Sequence, residues 1–305
     1  MFEPINNHEF RENPDSPARA YLETIYHRIE WSKEAVEDFS EYQESIHKLR
    51  EEKEEIFQKL LELYQSGDLE ACYAIGCAYG SYDAGVKRNS ELAHAFFLQA
   101  AEAGHPTAMR SYAFSCKRLN GHEDTTETIE WLKKAAKAGD ILAMSFLGIR
   151  YREGDSLETN YDRAEFWFKS AYDAGDKASA YYLGKLYDFQ LKDYGKAFQW
   201  YTIFADQNAK NFRDLARFLN REDTAYFDPA ESLRLKIENL DDAYDHSRPI
   251  ICGEIAEHYL NGRGVEASKE EALKWLRKKL GLLKPETKLY KETKLEIEQL
   301  EGSLI

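Results

Sequence analysis

ILAMSFLGIRYREGDSLETNYDRAEFWFKSAYDAGD, residues 141–176, decides the fold of this chain. Its first half places Ala143, Leu147, Gly148 and Tyr151 on one face at spacings of three and four. Its second half does the same with Ala164, Trp167, Phe168, Ala171 and Ala174. Apolar residues at that period form a stripe along an α-helix. The polar run from Glu153 to Asn160 separates the stripes and Gly175 ends the second, so the stretch predicts two helices joined by a turn. Neither helix can bury its stripe alone, so the pair needs a similar pair on each side.

Such neighbours are present. Gly67, Gly104, Gly139 and Gly175 close helix endings that read QSGD, EAGH, KAGD and DAGD, at intervals of 37, 35 and 36 residues. A small-residue step recurs in the first helix as Ile75-Gly76, Tyr112-Ala113, Leu147-Gly148, Leu183-Gly184 and Ile255-Ala256. A bulky aromatic recurs in the second as Phe96, Trp131, Trp167, Trp200 and Trp275. A period of this length with this pattern predicts a helical solenoid. The pattern A-x-x-x-L-G-x-x-Y, a Gly-rich turn, then K/R-A-x-x-W-x-x-x-A-x-x-A-G closely resembles the SEL-1-like repeat, a longer relative of the tetratricopeptide repeat. The resemblance covers roughly residues 55 to 283. It implies an all-α, right-handed α/α superhelical solenoid with capping helices at both ends, and a protein that holds other proteins.

The order of segments follows. Residues 1–16, with Pro4 and Pro14, read as irregular, and 17–66 as an N-terminal helical cap. Ser16-Pro17 is a helix start, with Ala18, Leu22, Ile25 and Ile29 forming a stripe up to Trp31. Ser32 is placed to cap a long helix to Tyr64, with Val36, Phe39, Tyr42, Ile46, Leu49, Ile56, Leu60 and Leu63 on one side. The charged run Arg50 to Glu55 reads as a solvated face. The solenoid spans 67–283 and is irregular at 210–248; residues 284–305 hold a C-terminal capping helix that begins at Pro285. Capping boxes are expected at Asp124-Thr-Thr-Glu127 and at Ser268 with Glu271, and Asp228-Pro229 should start a helix. Asn208 stands where other repeats carry glycine and is expected to take the left-handed conformation.

Composition bounds the function. Hydrophobic residues make up 43% of the 305, enough for a core, so the chain is not disordered. The formal net charge of −14 argues against sequence-independent nucleic-acid binding, which needs a basic footprint, and against an anionic membrane surface. No stretch approaches the length of a membrane span and the start, MFEPINNHEF, is not a signal peptide, so a cytoplasmic location is expected. Cys72, Cys116 and Cys252 fall at core positions, which predicts burial rather than disulfides.

No catalytic grouping stands out. The eight histidines are scattered, and Glu254 occupies the position where a zinc site with Glu257 and His258 would need a second histidine. Gly262-Arg263-Gly264 is a turn, not a phosphate cradle. No cofactor or metal is expected, and the chain reads as a non-enzyme. What remains is surface. The resemblance implies that positions two before, two after and five after the central Leu of each first helix face a concave side. These are Tyr73, Cys77, Arg110, Phe114, Lys117, Ser145, Ile149, Arg152, Tyr181, Lys185 and Asp188, with Glu257 in the last repeat. Among them Tyr73, Arg110, Phe114, Lys117, Ile149, Arg152, Tyr181, Lys185 and Asp188 form the expected partner site, a cationic band with aromatic anchors suited to an acidic segment or a free carboxylate. The alternative is that these cations pair with neighbouring acids. The expected function is a non-catalytic adaptor, and the alternative is a bacterial immunity protein whose acidic charge suits a basic toxin.

Overall fold

The computed structural model describes residues 16–21, 39–81, 86–121 and 123–303. Among the described residues there are helices and turns and no β-strand. The chain divides into two compact units, Met1–Asn160 and Tyr161–Ile305.

In the first unit the helices are α1 (Phe39–Gln65), α2 (Leu69–Gly80), α3 (Ser90–Glu102), α4 (Pro106–Leu119), α5 (Thr126–Lys137) and α6 (Ile141–Glu153). Each packs on the next in sequence, the order that stacked helix pairs require. Ala71, Cys72, Ile75, Ala93, Phe96, Ala100, Ala113, Leu132, Ala135 and Leu147 are buried, so the apolar stripes face inward as the spacing predicts. The second unit holds α7 (Tyr161–Asp173), α8 (Ser179–Lys185), α9 (Tyr194–Gln207), α10 (Phe212–Leu219), α11 (Pro229–Glu238), α12 (Arg248–Asn261), α13 (Lys269–Gly281) and α14 (Lys288–Gly302). These also pack in sequence order. A π-helical turn, Leu186–Gln190, follows α8, and a short 3₁₀ turn, Ala209–Asn211, precedes α10.

The four Gly endings share one geometry. Gly67, Gly104, Gly139 and Gly175 have φ of 87, 102, 94 and 111°. At each, the following N–H donates back to a carbonyl five residues earlier: Asp68 to Leu63, His105 to Ala100, Asp140 to Ala135 and Asp176 to Ala171, at 2.9–3.0 Å. This is the helix-ending motif that glycine permits. The residue after each glycine then opens the next element. Asp68, His105 and Asp140 accept from the N–H groups of Ala71, Ala108 and Ala143 at 2.8, 3.1 and 2.7 Å. Asp176 accepts instead from Ala178 N–H and the Ser179 hydroxyl, so α8 starts later.

Several local expectations hold. Ser16 Oγ accepts from Ala18 N–H, Asp228 caps α11, Ser268 caps α13, and Pro106 sits in the first turn of α4. Cys72, Cys116 and Cys252 are free and buried. Others need correction. Asp124 does not cap α5; Thr125 does, accepting from Thr128 N–H at 3.2 Å. Asn208 is extended, φ −160°, rather than left-handed. Within the charged run, Glu51, Glu52, Glu54 and Glu55 are exposed, but Lys53 is 1% exposed, so that face is not wholly solvated. The final helix begins after Thr287, not at Pro285. The irregular segment over 1–15, the stripe from Leu22 to Trp31 and the Ser32 cap lie outside the described residues, as do the side chains of Val36, Phe39, Tyr42, Ile46 and Leu49.

The small-residue step works by close approach. A Cβ on Gly184 would stand 2.7 Å from the Tyr201 ring of α9, and one on Gly76 the same distance from the Phe97 ring of α3. Alanine at position 184 gains roughly 0.8–1 kcal/mol of helix propensity. Overpacking costs about 1–3 kcal/mol, and the ring cannot yield freely because Tyr201 is 3% exposed and bonded to Asp188. Gly184→Ala should therefore lower the urea midpoint by an equivalent of about 1 kcal/mol. Gly281→Ala, with nothing within 4 Å of the new methyl, should leave it unchanged or raised. Equal midpoints for the two variants would show that the approach is not tight.

Candidate interaction surface

The sequence-predicted positions sit on the first helices, and most of their cations are engaged within the chain. On α4, Arg110 Nε lies 2.9 Å from Asp140, whose side chain is 5% exposed. Asp140 thus caps α6 and takes a guanidinium with the same carboxylate oxygen. Lys117 Nζ is 2.9 Å from Asp124, and Arg150 Nε is 2.5 Å from the same carboxylate, which is 1% exposed. These contacts are close but poorly aligned for hydrogen bonding. Arg152 donates to the neighbouring Glu153 at 2.6 Å. Phe114 meets Phe146 edge to face at 4.8 Å, and Ile149 is half-buried. Cys77 and Ser145, which the register also placed on this side, are buried.

Tyr73 stacks on the His105 ring at 4.7 Å. That imidazole is held at both nitrogens. Nδ1 accepts from Ala108 N–H, so in the neutral ring Nε2 carries the proton and donates to Glu70 at 3.3 Å. Arg19 reaches the same Glu70 oxygen at 3.2 Å. The hydrogen bond from His105 is the main influence holding the Glu70 carboxyl below its ordinary range. Glu70, His105 and Asp140 line a cavity of about 560 Å³ with Arg19, Thr107 and Leu142.

In the second unit, Tyr181 and Lys185 come together: Lys185 Nζ donates to the Tyr181 hydroxyl at 3.1 Å and lies over the Tyr181 and Phe189 rings. Phe189 is 50% exposed. Asp188 is 2% exposed; it accepts from Tyr201 at 3.2 Å and from Arg221. Glu257 is exposed on α12. Its neighbours Glu254 and His258 both face Lys236. Lys236 Nζ lies 3.3 Å from Glu254 and donates to His258 Nε2 at 3.2 Å, while His258 Nδ1 donates to the Arg263 carbonyl. Burial lowers the pKa of both Lys236 and His258. Among the described residues no group of three or more His, Cys, Asp or Glu side chains could hold a metal ion. No helix among them is long and apolar enough to cross a membrane.

Sequence reasoning did not find a second cluster in this unit. A cavity of about 360 Å³ is lined by Tyr181, Phe204, Lys210, Arg213, Arg217 and Tyr244, with Asp214, His246 and neighbours. Most of these residues fall in 210–248, where the repeat has no register to count from. The available signal was the local clustering of Lys210, Arg213 and Arg217 in an acidic chain.

Stacked helix pairs with glycine endings and small-residue steps define an α/α repeat protein of the solenoid class. The chain belongs to the Sel1 repeat family, whose profile matches residues 69–105, 117–140, 141–176, 177–208 and 252–278. No curated protein matches it in sequence. Among solved structures it superposes on a protective antigen present in uropathogenic Escherichia coli strains, with an SLR fold, at 19% identity and a TM-score of 0.62. That match covers 81% of this chain and 52% of the antigen, so the chain spans about half the antigen's length. A Sel1 repeat protein from Oxalobacter formigenes matches at 23% identity and a TM-score of 0.56, over 76% of this chain and 98% of that one. An immunity protein from Pseudomonas aeruginosa matches at 16% identity over 76% of this chain and 81% of that one; its TM-score of 0.37 is too low to bear on function.

Buried and half-buried tyrosines tie the electrostatics to stability. Burial is the main cause that raises the pKa of Tyr73, Tyr112, Tyr187 and Tyr201; the latter three also donate to Glu127, Glu165 and Asp188. A phenol whose folded pKa exceeds its unfolded value contributes stability that is complete below about pH 10 and is lost as pH rises beyond it. Tyrosinate absorbance from these four should appear only together with the loss of far-ultraviolet ellipticity. Complete titration of all 20 tyrosines with helicity retained would contradict the burial.

Proposed function

We propose that the chain is a non-catalytic scaffold that binds another protein through side chains carried on its first helices. The supporting observation is the division of labour within each repeat. The stripe residues Ile75, Leu147 and Leu183 are fully buried, and Tyr112 is 6% exposed. The register positions Tyr73, Phe114, Ile149, Arg152, Tyr181 and Lys185 recur on the same helices and are half-buried; Tyr73, Phe114, Arg152, Tyr181 and Lys185 are held by neighbours. Half-buried aromatic and cationic side chains in fixed geometry lose little entropy when a partner docks. Arg110 and Lys117 serve this reading less directly, since each is tied to a nearly buried carboxylate. Asp188 supports the surface from within by engaging Arg221 and Tyr201.

Charge reversal tests it. The Arg152→Glu, Lys185→Glu double variant of the full chain should keep its circular dichroism and lose the partner protein that the wild type captures from native lysate, read by mass spectrometry. Undiminished capture by the double variant removes these positions from the binding surface.

A further inference from the structure

We propose that the irregular segment of the second unit forms a dedicated pocket for an acidic linear segment of another protein; the inference rests on the scaffold reading and gives it a site. The family profile stops at 208 and resumes at 252, and eight of the ten residues lining the 360 Å³ cavity lie in that gap. The pocket is therefore built by the part of the chain that departs from the repeat.

Its chemistry is opposite to that of the whole molecule. The chain carries a net charge of −14. Yet Lys210, Arg213 and Arg217 line the cavity against one carboxylate, Asp214, which is bonded to Arg217 at 3.2 Å. Lys210 lies over the exposed Tyr244 ring at 5.0 Å. Arg213 reaches Ser247 at 3.4 Å and Glu254 at 3.6 Å, both long contacts, and its Nε is buried without a hydrogen-bond partner. Those long contacts leave its two Nη groups weakly engaged, and a carboxylate is the partner that a guanidinium fork best matches. Lys185 extends the positive surface beside Tyr181, and its contacts are the Tyr181 hydroxyl and two aromatic rings.

The walls select for more than charge. Tyr181 and Phe204 stand 5.5 Å apart, and Tyr244 stacks with His246 at 5.7 Å and is 55% exposed. A free inorganic anion would leave those rings unused. A peptide with Glu or Asp beside an apolar or aromatic residue uses both the cations and the rings. Nucleic acid, charged at every phosphate along its length, needs a longer basic footprint than Lys210, Arg213 and Arg217 supply.

The probe is a fluorescein-labelled octapeptide of alternating Glu and Tyr, with Gln-for-Glu and Lys-for-Glu counterparts, titrated by anisotropy against the full-length chain. The Glu peptide should bind saturably and more weakly as salt rises, and the other two should not bind. Lys210→Glu and Tyr244→Ala, both at exposed positions, should each weaken it about tenfold, while Lys288→Glu, at a lysine 91% exposed on α14, should not. A Glu peptide that binds no better than its Gln counterpart, or equally well to Lys210→Glu and Tyr244→Ala, overturns the pocket. The two readings separate. A protein partner captured equally by wild type and Lys210→Glu overturns the pocket and leaves the scaffold. A chain that binds the Glu peptide as expected but captures no protein supports the pocket and overturns the scaffold.

Discussion

A two-residue junction, glycine followed by an acceptor side chain, sets the geometry on which the rest depends. Gly67, Gly104 and Gly139 turn the chain out of one helix at positive φ, where a Cβ would cost roughly 1–2 kcal/mol. The next residue closes that helix with its N–H and opens the following one with its side chain. Each cap contributes about 1 kcal/mol. The larger consequence is directional. One residue belongs to both helices, so the angle between them has little freedom and the apolar stripes meet in the same way each time. An imidazole does this as well as a carboxylate: His105 accepts through Nδ1 and keeps Nε2 free to hold Glu70. Where the junction varies, at Asp176, the following helix starts late and leads into the π turn.

The junction also explains why the predicted cationic band is only partly available. Asp140 is nearly buried because it caps α6, and a buried carboxylate needs more than one donor. Arg110 supplies the second. Asp124 shows the same pressure, drawing in both Lys117 and Arg150. Exposed pairs of this kind would contribute little, but here the acid is out of water and removing its partner would strand a charge. Arg110, Lys117 and Arg150 therefore stabilise the stack first.

Most of the fold was legible because the repeat is written in local terms. Glycine spacing, the small-residue step, the caps at Asp228 and Ser268 and the proline at 106 each depend on a few adjacent residues. The misreadings share a nonlocal cause. Asp124 looks like a cap until Lys117 and Arg150 claim it, and Thr125 takes the role. Lys53 looks solvated in a run of charges and is buried by tertiary packing. The register that the resemblance implies puts Asp188 on the partner side, but the π turn over Leu186–Gln190 changes the phase after Lys185, and the carboxylate turns to Tyr201 and Arg221. The site was less legible than the fold for the same reason. Tyr181 and Lys185 could be found by register, whereas Lys210, Arg213 and Tyr244 converge from positions with no repeat to index them.

That irregular segment is not loosely held. Ser232 Oγ donates to the Ala216 carbonyl at 2.6 Å, joining α11 to α10. Lys236 is buried against Glu254 and His258, joining α11 to α12. Arg221 ties the following turn to Asp188, and any side chain at Gly264 would strike the backbone of Pro229 and Ala230. These are polar and steric locks in place of the small-residue steps that hold the regular repeats. Their use has a direct consequence for charge. Asp188 is drawn to Arg221 and Tyr201, and Glu254 is shared between Lys236 at 3.3 Å and Arg213 at 3.6 Å. Lys185 and Lys210 are left against rings and a hydroxyl. Leaving the repeat pattern thus gives the second unit a fixed cationic and aromatic surface that a perfect repeat, with its stripe positions committed to packing, has less freedom to build.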